Sequence, residues 1–167
     1  MQVGRWLRHW FTTPQAVRRA FPEDGLARIR EAIAATEATH SGEIRFAIEA
    51  ALPWSYLRRG APVRQRAVMI FSKLRVWDTE YNNGVLLYVE LADHGVEIVA
   101  DRGIARRVPQ GEWQAICASL REHFQRGAFE QGVTQAIARI GAQLTEHFPL
   151  GPGDKNPNEL SDKPVIL

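Results

Sequence analysis

The sequence predicts an α/β protein, specifically an α/β/α sandwich in which helices cover both faces of a small mixed sheet. Two segments, Glu43–Glu49 and Val85–Leu91, have the composition of strands, and a segment with helical periodicity lies between them. A strand, helix, strand succession forms a right-handed parallel crossover. A third strand, Val96–Asp101, follows a short turn and therefore returns antiparallel to the second strand as a β-hairpin.

The first half of the predicted core is a helix followed by a strand. The helix covers residues 23–40, because apolar residues recur there at helical spacing, and Ser41-Gly42 ends it. Glu43–Glu49 alternates between polar and apolar residues, which predicts a strand whose apolar face carries Ile44, Phe46 and Ile48. A second helix begins behind Pro62, since proline is favoured in a first helical turn.

The hairpin is the centre of the predicted sheet. Val85–Val89 is apolar on both faces, as is typical of a central strand that is covered on two sides. A two-residue turn would place Leu91 opposite Val96 and Gly84 opposite Gly103. Two further helices towards the C-terminus complete the sandwich.

Composition limits the class of protein. The chain has 167 residues, of which 45% are hydrophobic and 24% charged, as in one soluble globular domain. Its single cysteine, Cys117, excludes an intramolecular disulfide framework and agrees with a reducing compartment. No apolar run is long enough to span a bilayer, and the first six residues lack the features of a signal peptide. We therefore expect a cytoplasmic protein, peripheral at most to the inner membrane.

The chain divides into a basic aromatic N-terminal arm (1–22), a central domain (23–149) and an extended C-terminal tail (150–167). The arm has no acidic residue, and its arginines are interleaved with apolar residues: Arg5, Trp6, Leu7, Arg8, Trp10, Phe11, Arg18 and Arg19. This pattern fits a helix that packs on the domain and extends its arginines to solvent. It also fits contact with a protein partner or an anionic membrane surface. Nucleic acid is disfavoured, because no nucleic-acid-binding motif accompanies the arm.

Polar side chains gather at the end of the hairpin away from its turn. Residues 77–84 precede the second strand and residues 101–104 follow the third, so chain reversal brings them to one sheet edge. Carboxylate and amide oxygens beside glycines are what Ca²⁺ or Mg²⁺ requires. The candidate ligands are Asp78, Glu80, Asn83 and Asp101, with Asn82 and Glu43 as outer candidates. The alternative is that they are solvated loop residues and that Asn83-Gly84 serves turn geometry.

Four segments, taken together and in order, resemble the TPM domain family. They are Ser41–Ile44, Asn82–Leu87, Asp101–Ile104 and Arg126–Gly132. The resemblance extends over about residues 24–148 and implies an α/β/α sandwich that, as in some members, binds Ca²⁺ or Mg²⁺ at the sheet edge. Because the family includes the thylakoid acid phosphatase-like proteins, it also implies a phosphatase activity. Asp101 stands where the family has glycine, which adds a carboxylate.

Two classes of function remain open at this point. The first is a divalent-cation-binding or interaction module without enzymatic activity. The second is a metal-dependent, acid phosphatase-like phosphoesterase, in which Mg²⁺ positions a phosphate ester and a water molecule. The sequence contains no nucleophile motif, and Cys117 lies on the apolar face of a helix, which favours a buried structural thiol. No catalytic residue and no cofactor other than Ca²⁺ or Mg²⁺ is therefore assigned.

Overall fold

The computed structural model describes residues 2–167, with side chains from residue 4 onward. Eight helices and four strands follow one another in this part of the chain. In chain order they are α1 (Gln2–Phe11), α2 (Pro14–Ala20), α3 (Glu23–Glu37), β1 (Glu43–Glu49), α4 (Trp54–Arg58), α5 (Val63–Lys73), β2 (Gly84–Glu90), β3 (Gly95–Ala100), α6 (Arg102–Ala105), α7 (Gln110–Gln125), α8 (Phe129–His147) and β4 (Val165–Ile166).

The strands form one mixed sheet in the order β3-β2-β1-β4. β1 and β2 are parallel, with Glu43 opposite Gly84, and β3 returns antiparallel to β2. The predicted sandwich, with one parallel crossover and a β-hairpin, is therefore confirmed. A fourth strand, β4, was not predicted from the sequence; it pairs parallel with β1 at the edge of the sheet.

Each face of the sheet carries its own apolar core. On one face, alternate residues of the strands pack against α2, α3, α7 and α8. On the other face, Leu86 and Tyr88 pack with residues of α5 and of the C-terminal tail. Every residue of β2 is buried, as predicted for a central strand covered on two sides. Complete burial of one large aliphatic side chain stabilises a fold by about 1.5–3 kcal/mol, so β2 supplies much of the driving force.

The hairpin register differs from the predicted one by two residues. Val89, rather than Leu91, lies opposite Val96, and Gly84 accepts a hydrogen bond from the Asp101 N–H. The predicted two-residue turn is wrong because the Glu90 carboxylate accepts the N–H groups of Ala92 and Asp93 and so stabilises a wider turn. Residues 91–94 therefore form a four-residue loop. A shift of two residues keeps each side chain on its predicted face of the sheet.

The outer edge of the sheet at β3 is covered by two guanidinium groups. Arg121 of α7 donates to the Val96 carbonyl at 2.6 Å, and Arg64 of α5 donates to the Ile98 carbonyl. Covering an edge in this way keeps its backbone groups from pairing with another chain.

Both terminal segments lie against the domain. The arm forms α1 and α2, and its residues Val17 and Phe21 are part of the core on the α3 face. The tail runs back over β1, where Leu160 and Val165 pack on the second core. Among the described residues, no helix has the length and apolarity needed to cross a membrane.

Candidate cation site at the open end of the hairpin

The end of the β2–β3 hairpin away from its loop, here called the open end, brings together the segments that the sequence analysis singled out. The Asp101 N–H donates to the Gly84 carbonyl at 2.9 Å, and the Gly103 N–H donates to the Asn82 carbonyl at 2.8 Å. Asp101 therefore lies on the same rim as the loop before β2. The chain reversal on which the predicted site depends is present.

Two glycines allow the segments to approach so closely. A Cβ atom on Gly103 would lie 2.3 Å from the Tyr81 carbonyl oxygen, and one on Gly84 would lie 2.0 Å from the Val76 carbonyl oxygen. Both distances are far inside van der Waals contact, so no other residue fits without moving backbone. The glycines of the family-like motifs thus have a packing function at this edge.

Asn83 is buried at the open end and is partly hydrogen-bonded. Its backbone N–H donates to the Thr79 Oγ1 at 3.1 Å, and its side-chain Nδ2 lies 3.4 Å from the Ser41 Oγ. Its Oδ1 is buried and has no hydrogen-bond partner within the described chain.

Asp101 is in a similar situation. It caps the short helix α6, where its Oδ1 accepts the Arg102 N–H at 2.7 Å. Its Oδ2 is buried and, like the Asn83 Oδ1, lacks a partner among the described residues. Buried acceptors without a partner cost free energy, on the order of 1–3 kcal/mol each. Two such oxygens at one edge fit the hard oxygen ligands that Ca²⁺ and Mg²⁺ require.

Among the described residues, neither Asp78 nor Glu80 hydrogen-bonds to the Asn83 Oδ1 or the Asp101 Oδ2. Asp78 is half-exposed and forms an ion pair with Arg75 at 2.6 Å. Glu80 is exposed, and its backbone N–H donates to the Glu159 carboxylate of the tail at 3.1 Å. The loop that carries both residues joins the open end at Asn82. Three of the predicted ligands, Asp78, Glu80 and Asn83, thus lie in the loop that meets the Asp101 segment at the open end. In the described part of the chain, neither Asp78 nor Glu80 forms a hydrogen bond with Asp101.

The two outer candidates have protein partners. The Asn82 Oδ1 accepts a hydrogen bond from the Arg102 Nε at 3.1 Å. The Glu43 carboxylate is buried and accepts the backbone N–H groups of Glu159 and Leu160 at 3.0 and 3.1 Å. Burial raises the pKa of Glu43 to about 7. Glu43 therefore anchors the tail.

Sequence reasoning missed a second buried carboxyl group near this edge, that of Glu37. Its Oε1 accepts the Ile44 N–H at 3.1 Å. Burial, together with the charges of Glu43 and Asp162, raises the pKa of Glu37 to about 8. A signal was present, because Glu37 follows Ile29 and Ile33 at helical spacing and so continues the apolar face of α3.

An open cleft of about 550 Å³ lies beside the open end. Its lining includes Ser41, Glu80, Tyr81, His147 and residues of the tail such as Lys155. A cation bound at the open end would therefore have a solvent-filled space next to it that is large enough for a small ligand.

The loop end of the hairpin carries a different polar cluster, formed by His9, Glu90 and Asp93. In the part of the chain that the structure describes, these are the only three His, Cys, Asp or Glu residues whose ligand atoms lie within 4.8 Å of one another. This cluster was not predicted from the sequence, because His9 lies more than eighty residues from its partners. The local signals were a glutamate at the end of an apolar strand and an aspartate in the loop.

The protein itself satisfies the polar atoms of this cluster. His9 accepts the Leu52 N–H on Nδ1 at 3.1 Å, so its Nε2 carries the proton that is donated to Asp93 at 3.0 Å. Arg5 and Arg8 also donate to the Asp93 carboxylate. Burial opposes ionisation of Asp93, but the hydrogen bonds from His9 and Arg5 hold its pKa below the usual range. A metal ion would have to displace these groups, and we therefore interpret the cluster as a structural anchor for α1.

Cys117 has no place in either cluster. It is buried on α7, and burial raises the pKa of its thiol to about 11. The prediction of a buried structural thiol is confirmed, since a protonated thiol in an apolar setting is a poor nucleophile.

The fold and the site together define an α/β/α sandwich with a polar site at one edge of its sheet. The sequence model of the TPM domain matches residues 18–143, and the chain therefore belongs to the TPM domain family. It is also similar to the NMR structure of the BA42 protein from the psychrophilic bacterium Bizionia argentinensis, at 29% sequence identity and a TM-score of 0.74. That match covers 86% of this chain and 93% of the other. No curated protein matches the chain.

Proposed function

We propose that this TPM domain is a divalent-cation-binding module whose site is the open end of the hairpin. The observation that carries the proposal is a pair of buried oxygens, the Asn83 Oδ1 and the Asp101 Oδ2, that find no hydrogen-bond donor among the residues the structure describes. A bound Ca²⁺ or Mg²⁺ would offset the cost of burying them. Asp78 and Glu80 would supply further carboxylate oxygens from the adjoining loop.

The loop carboxylates suit this role because they are accessible. Asp78 is held by a single exposed ion pair with Arg75, and such pairs contribute only about 0.2–1 kcal/mol. A divalent cation can therefore compete for Asp78 at little cost. Ca²⁺ tolerates irregular coordination by mixed carboxylate and amide oxygens, whereas Mg²⁺ demands near-octahedral geometry. The donor set favours Ca²⁺ on this ground.

The substitution Asp101→Asn tests the proposal. Asparagine keeps the Oδ1 acceptor for the Arg102 N–H but removes the charge and replaces the second carboxylate oxygen. We expect calorimetry to show Ca²⁺ affinity weakened roughly tenfold or more, which corresponds to about 1.4 kcal/mol or more. The rise in melting temperature on addition of Ca²⁺ should shrink in parallel, because a ligand stabilises a fold in proportion to its binding.

The matched control is Asp24→Asn, which alters an exposed carboxylate in the first turn of α3. This variant should bind Ca²⁺ as the native chain does. Equal affinity of the Asp101→Asn variant and the native chain would remove Asp101 from the site. Absence of binding of both Ca²⁺ and Mg²⁺ to the native chain would refute the cation-binding function itself.

A second candidate function is a metal-dependent phosphoesterase. It is favoured by the cleft beside the open end, where the Lys155 side chain offers a cation for a phosphate group. A metal ion at this rim would lower the pKa of a bound water and so supply a nucleophile that the chain lacks. Hydrolysis of a generic aryl phosphate by the pure protein, dependent on Mg²⁺ and lost in Asp78→Ala, would support it. Absence of turnover with metal present would argue strongly against it.

We also propose that this module is located in the cytoplasm, at a peripheral position on the inner membrane. Its support is the single buried cysteine, which fits a reducing compartment. The N-terminal arm is the surface we assign to a partner, either a protein or an anionic membrane.

A further inference from the structure

Helix α1 packs on the domain through its polar side. His9 is only 6% exposed, and Arg5 lies partly buried against Asp93. The large apolar side chains of the same helix face solvent instead: Trp10 is 76% exposed and Phe11 74% exposed. An amphipathic helix on a soluble protein normally does the opposite and buries its apolar stripe.

The cause of this orientation is the polar anchor at the loop end of the hairpin. Arg5, Arg8 and His9 all donate to Asp93, which holds their side of α1 against the domain. Residues on the opposite side of the helix, including Leu7, Trp10 and Phe11, therefore face outward. The outward orientation of the apolar face is therefore fixed by these hydrogen bonds to Asp93, two of which are partly buried.

The apolar face continues onto α4. The Trp6 ring, one helical turn before Trp10, packs edge-on against the Trp54 ring, with 4.5 Å between their centroids. Trp54 is itself more than half exposed. Leu7, Trp10, Phe11 and Trp54 thus form one exposed aromatic surface, which we call the aromatic face. Exposed apolar patches of this kind mark binding surfaces.

The helices that carry and flank the aromatic face, α1, α2 and α4, contain no acidic residue. Residues 1–22 contain no acidic residue. Arg18 and Arg19 of α2 are exposed, as are Arg58 and Arg59 beside Trp54. Basic residues flanking exposed Trp, Phe and Leu are the pattern of helices that lie in the interface of an anionic bilayer.

We propose that the aromatic face docks on an anionic membrane surface, with α1 lying in the headgroup region and the arginines of α2 and α4 meeting the lipid phosphates. A second copy of the chain fits less well, because a symmetric contact through this face would bring two acid-free, arginine-rich arms together. Tryptophan is also the side chain best suited to the bilayer interface. The proposal stands independently of the cation site.

Vesicle co-sedimentation of the full chain tests the proposal. Vesicles of phosphatidylcholine alone are compared with vesicles of equimolar phosphatidylcholine and phosphatidylglycerol. We expect binding to the anionic vesicles only, weakened roughly tenfold or more in the double variant Trp10→Ala/Phe11→Ala. The double variant Arg18→Gln/Arg19→Gln should also bind about tenfold or more weakly, since each basic residue near an anionic surface contributes about 1 kcal/mol.

The control variants are matched in chemistry. Trp77→Ala removes an exposed tryptophan on another surface, and Arg30→Gln removes an exposed arginine of α3; neither should alter vesicle binding. Circular dichroism checks that each variant is folded. Equal binding of native and Trp10→Ala/Phe11→Ala chains would overturn the proposal, as would equal binding to both vesicle types. A native chain that dimerises through this face and ignores vesicles would also overturn it, in favour of a second copy.

Discussion

The two ends of the β2–β3 hairpin carry polar clusters that differ in one respect. At the loop end, the hydrogen-bonding atoms of His9 and Asp93 find partners within the protein, including two guanidinium groups. At the open end, the Asn83 Oδ1 and the Asp101 Oδ2 are buried and accept no hydrogen bond from the described part of the chain. Both clusters contain residues that could ligate a metal ion.

This difference separates a structural cluster from a candidate binding site. Proximity of ligand-type atoms is greater at the loop end, where three such residues lie within 4.8 Å of one another. Unsatisfied hydrogen-bonding capacity is greater at the open end. Because buried polar groups are almost always paired in native proteins, an unpaired oxygen is the more informative sign of a binding site.

The largest expected loss of stability and of Ca²⁺ binding comes from adding a side chain at Gly103, at the open end. In Gly103→Ala the new Cβ would overlap the carbonyl oxygens of Tyr81 and Asn82, so the loop would be pushed away from Asp101. We expect a loss of about 3 kcal/mol in the free energy of unfolding, measured by urea denaturation, and loss of Ca²⁺ binding.

Gly111→Ala is the control for that substitution, because a Cβ on Gly111 meets no atom within 4 Å and the residue lies in α7. Alanine should there stabilise the fold by about 0.5–1 kcal/mol. Should the two variants prove equally stable, the close approach of the loop to α6 would be refuted.

Removing the central carboxylate of the loop-end cluster should lower the free energy of unfolding slightly less than Gly103→Ala does. Asp93→Ala removes the common acceptor of Arg5, Arg8 and His9 and leaves the buried His9 Nε2 without a partner. We expect a loss of about 2–3 kcal/mol in the free energy of unfolding, measured in urea. Ca²⁺ affinity at the open end should be unchanged, and a parallel loss of affinity would show that the two ends are not independent.

The pH dependence of stability tests the buried carboxyl group of Glu37 near the open end. Because its pKa is raised to about 8 in the folded state, the folded chain holds a proton that the unfolded chain releases above its ordinary value near 4.5. Its contribution to stability is present below that value and is lost as the pH rises towards 8. Glutamine does not titrate, so Glu37→Gln should not lose this stability as the pH rises. Between pH 5 and pH 8 its free energy of unfolding should rise by about 1–2 kcal/mol relative to that of the native chain.

Glu146→Gln, on an exposed position of α8, is the control for the titration. Its stability should follow the native chain across the same pH range. Parallel curves for the native chain and Glu37→Gln would mean that Glu37 is ionised in the folded protein at neutral pH.

The smallest effect concerns whether Asp78 belongs to the open end. Arg75 competes with a cation for the Asp78 carboxylate, so Arg75→Ala should strengthen Ca²⁺ binding by about two- to fivefold, as measured by calorimetry. Arg126→Ala, at the end of α7, removes another arginine and should leave the affinity as it is. An unchanged affinity in Arg75→Ala would exclude Asp78 from the site.

The parts of the fold that local pattern governs were predictable. The observed β1, Glu43–Glu49, coincides with the predicted strand, because alternation of polar and apolar residues is a local signal. The helix predicted over 23–40 ends at Glu37 instead, since helix ends depend on capping contacts that propensity alone does not define. The meeting of Asp101 with the Asn82-Asn83 loop was predictable from topology alone.

Contacts between distant segments were not predictable. The length of the loop at residues 91–94 was not predicted either, although its cause is local: the Glu90 carboxylate accepts the N–H groups of Ala92 and Asp93 and so stabilises a wider turn. The strand β4 has only two residues, and its pairing with β1 depends on tail contacts more than a hundred residues away in sequence. Which side of α1 packs on the domain was unpredictable for the same reason, since Asp93 lies far along the chain from His9.

The arginines that cover the β3 edge bear on how the protein behaves when it is concentrated. Arg121 and Arg64 donate hydrogen bonds to the Val96 and Ile98 carbonyls, and β4 forms the opposite edge of the sheet. Fibril-like growth by strand addition would first have to strip guanidinium groups from those carbonyls. Crowded solutions of this chain should therefore resist ordered aggregation, and neutral replacements of these arginines would be the place to seek its onset.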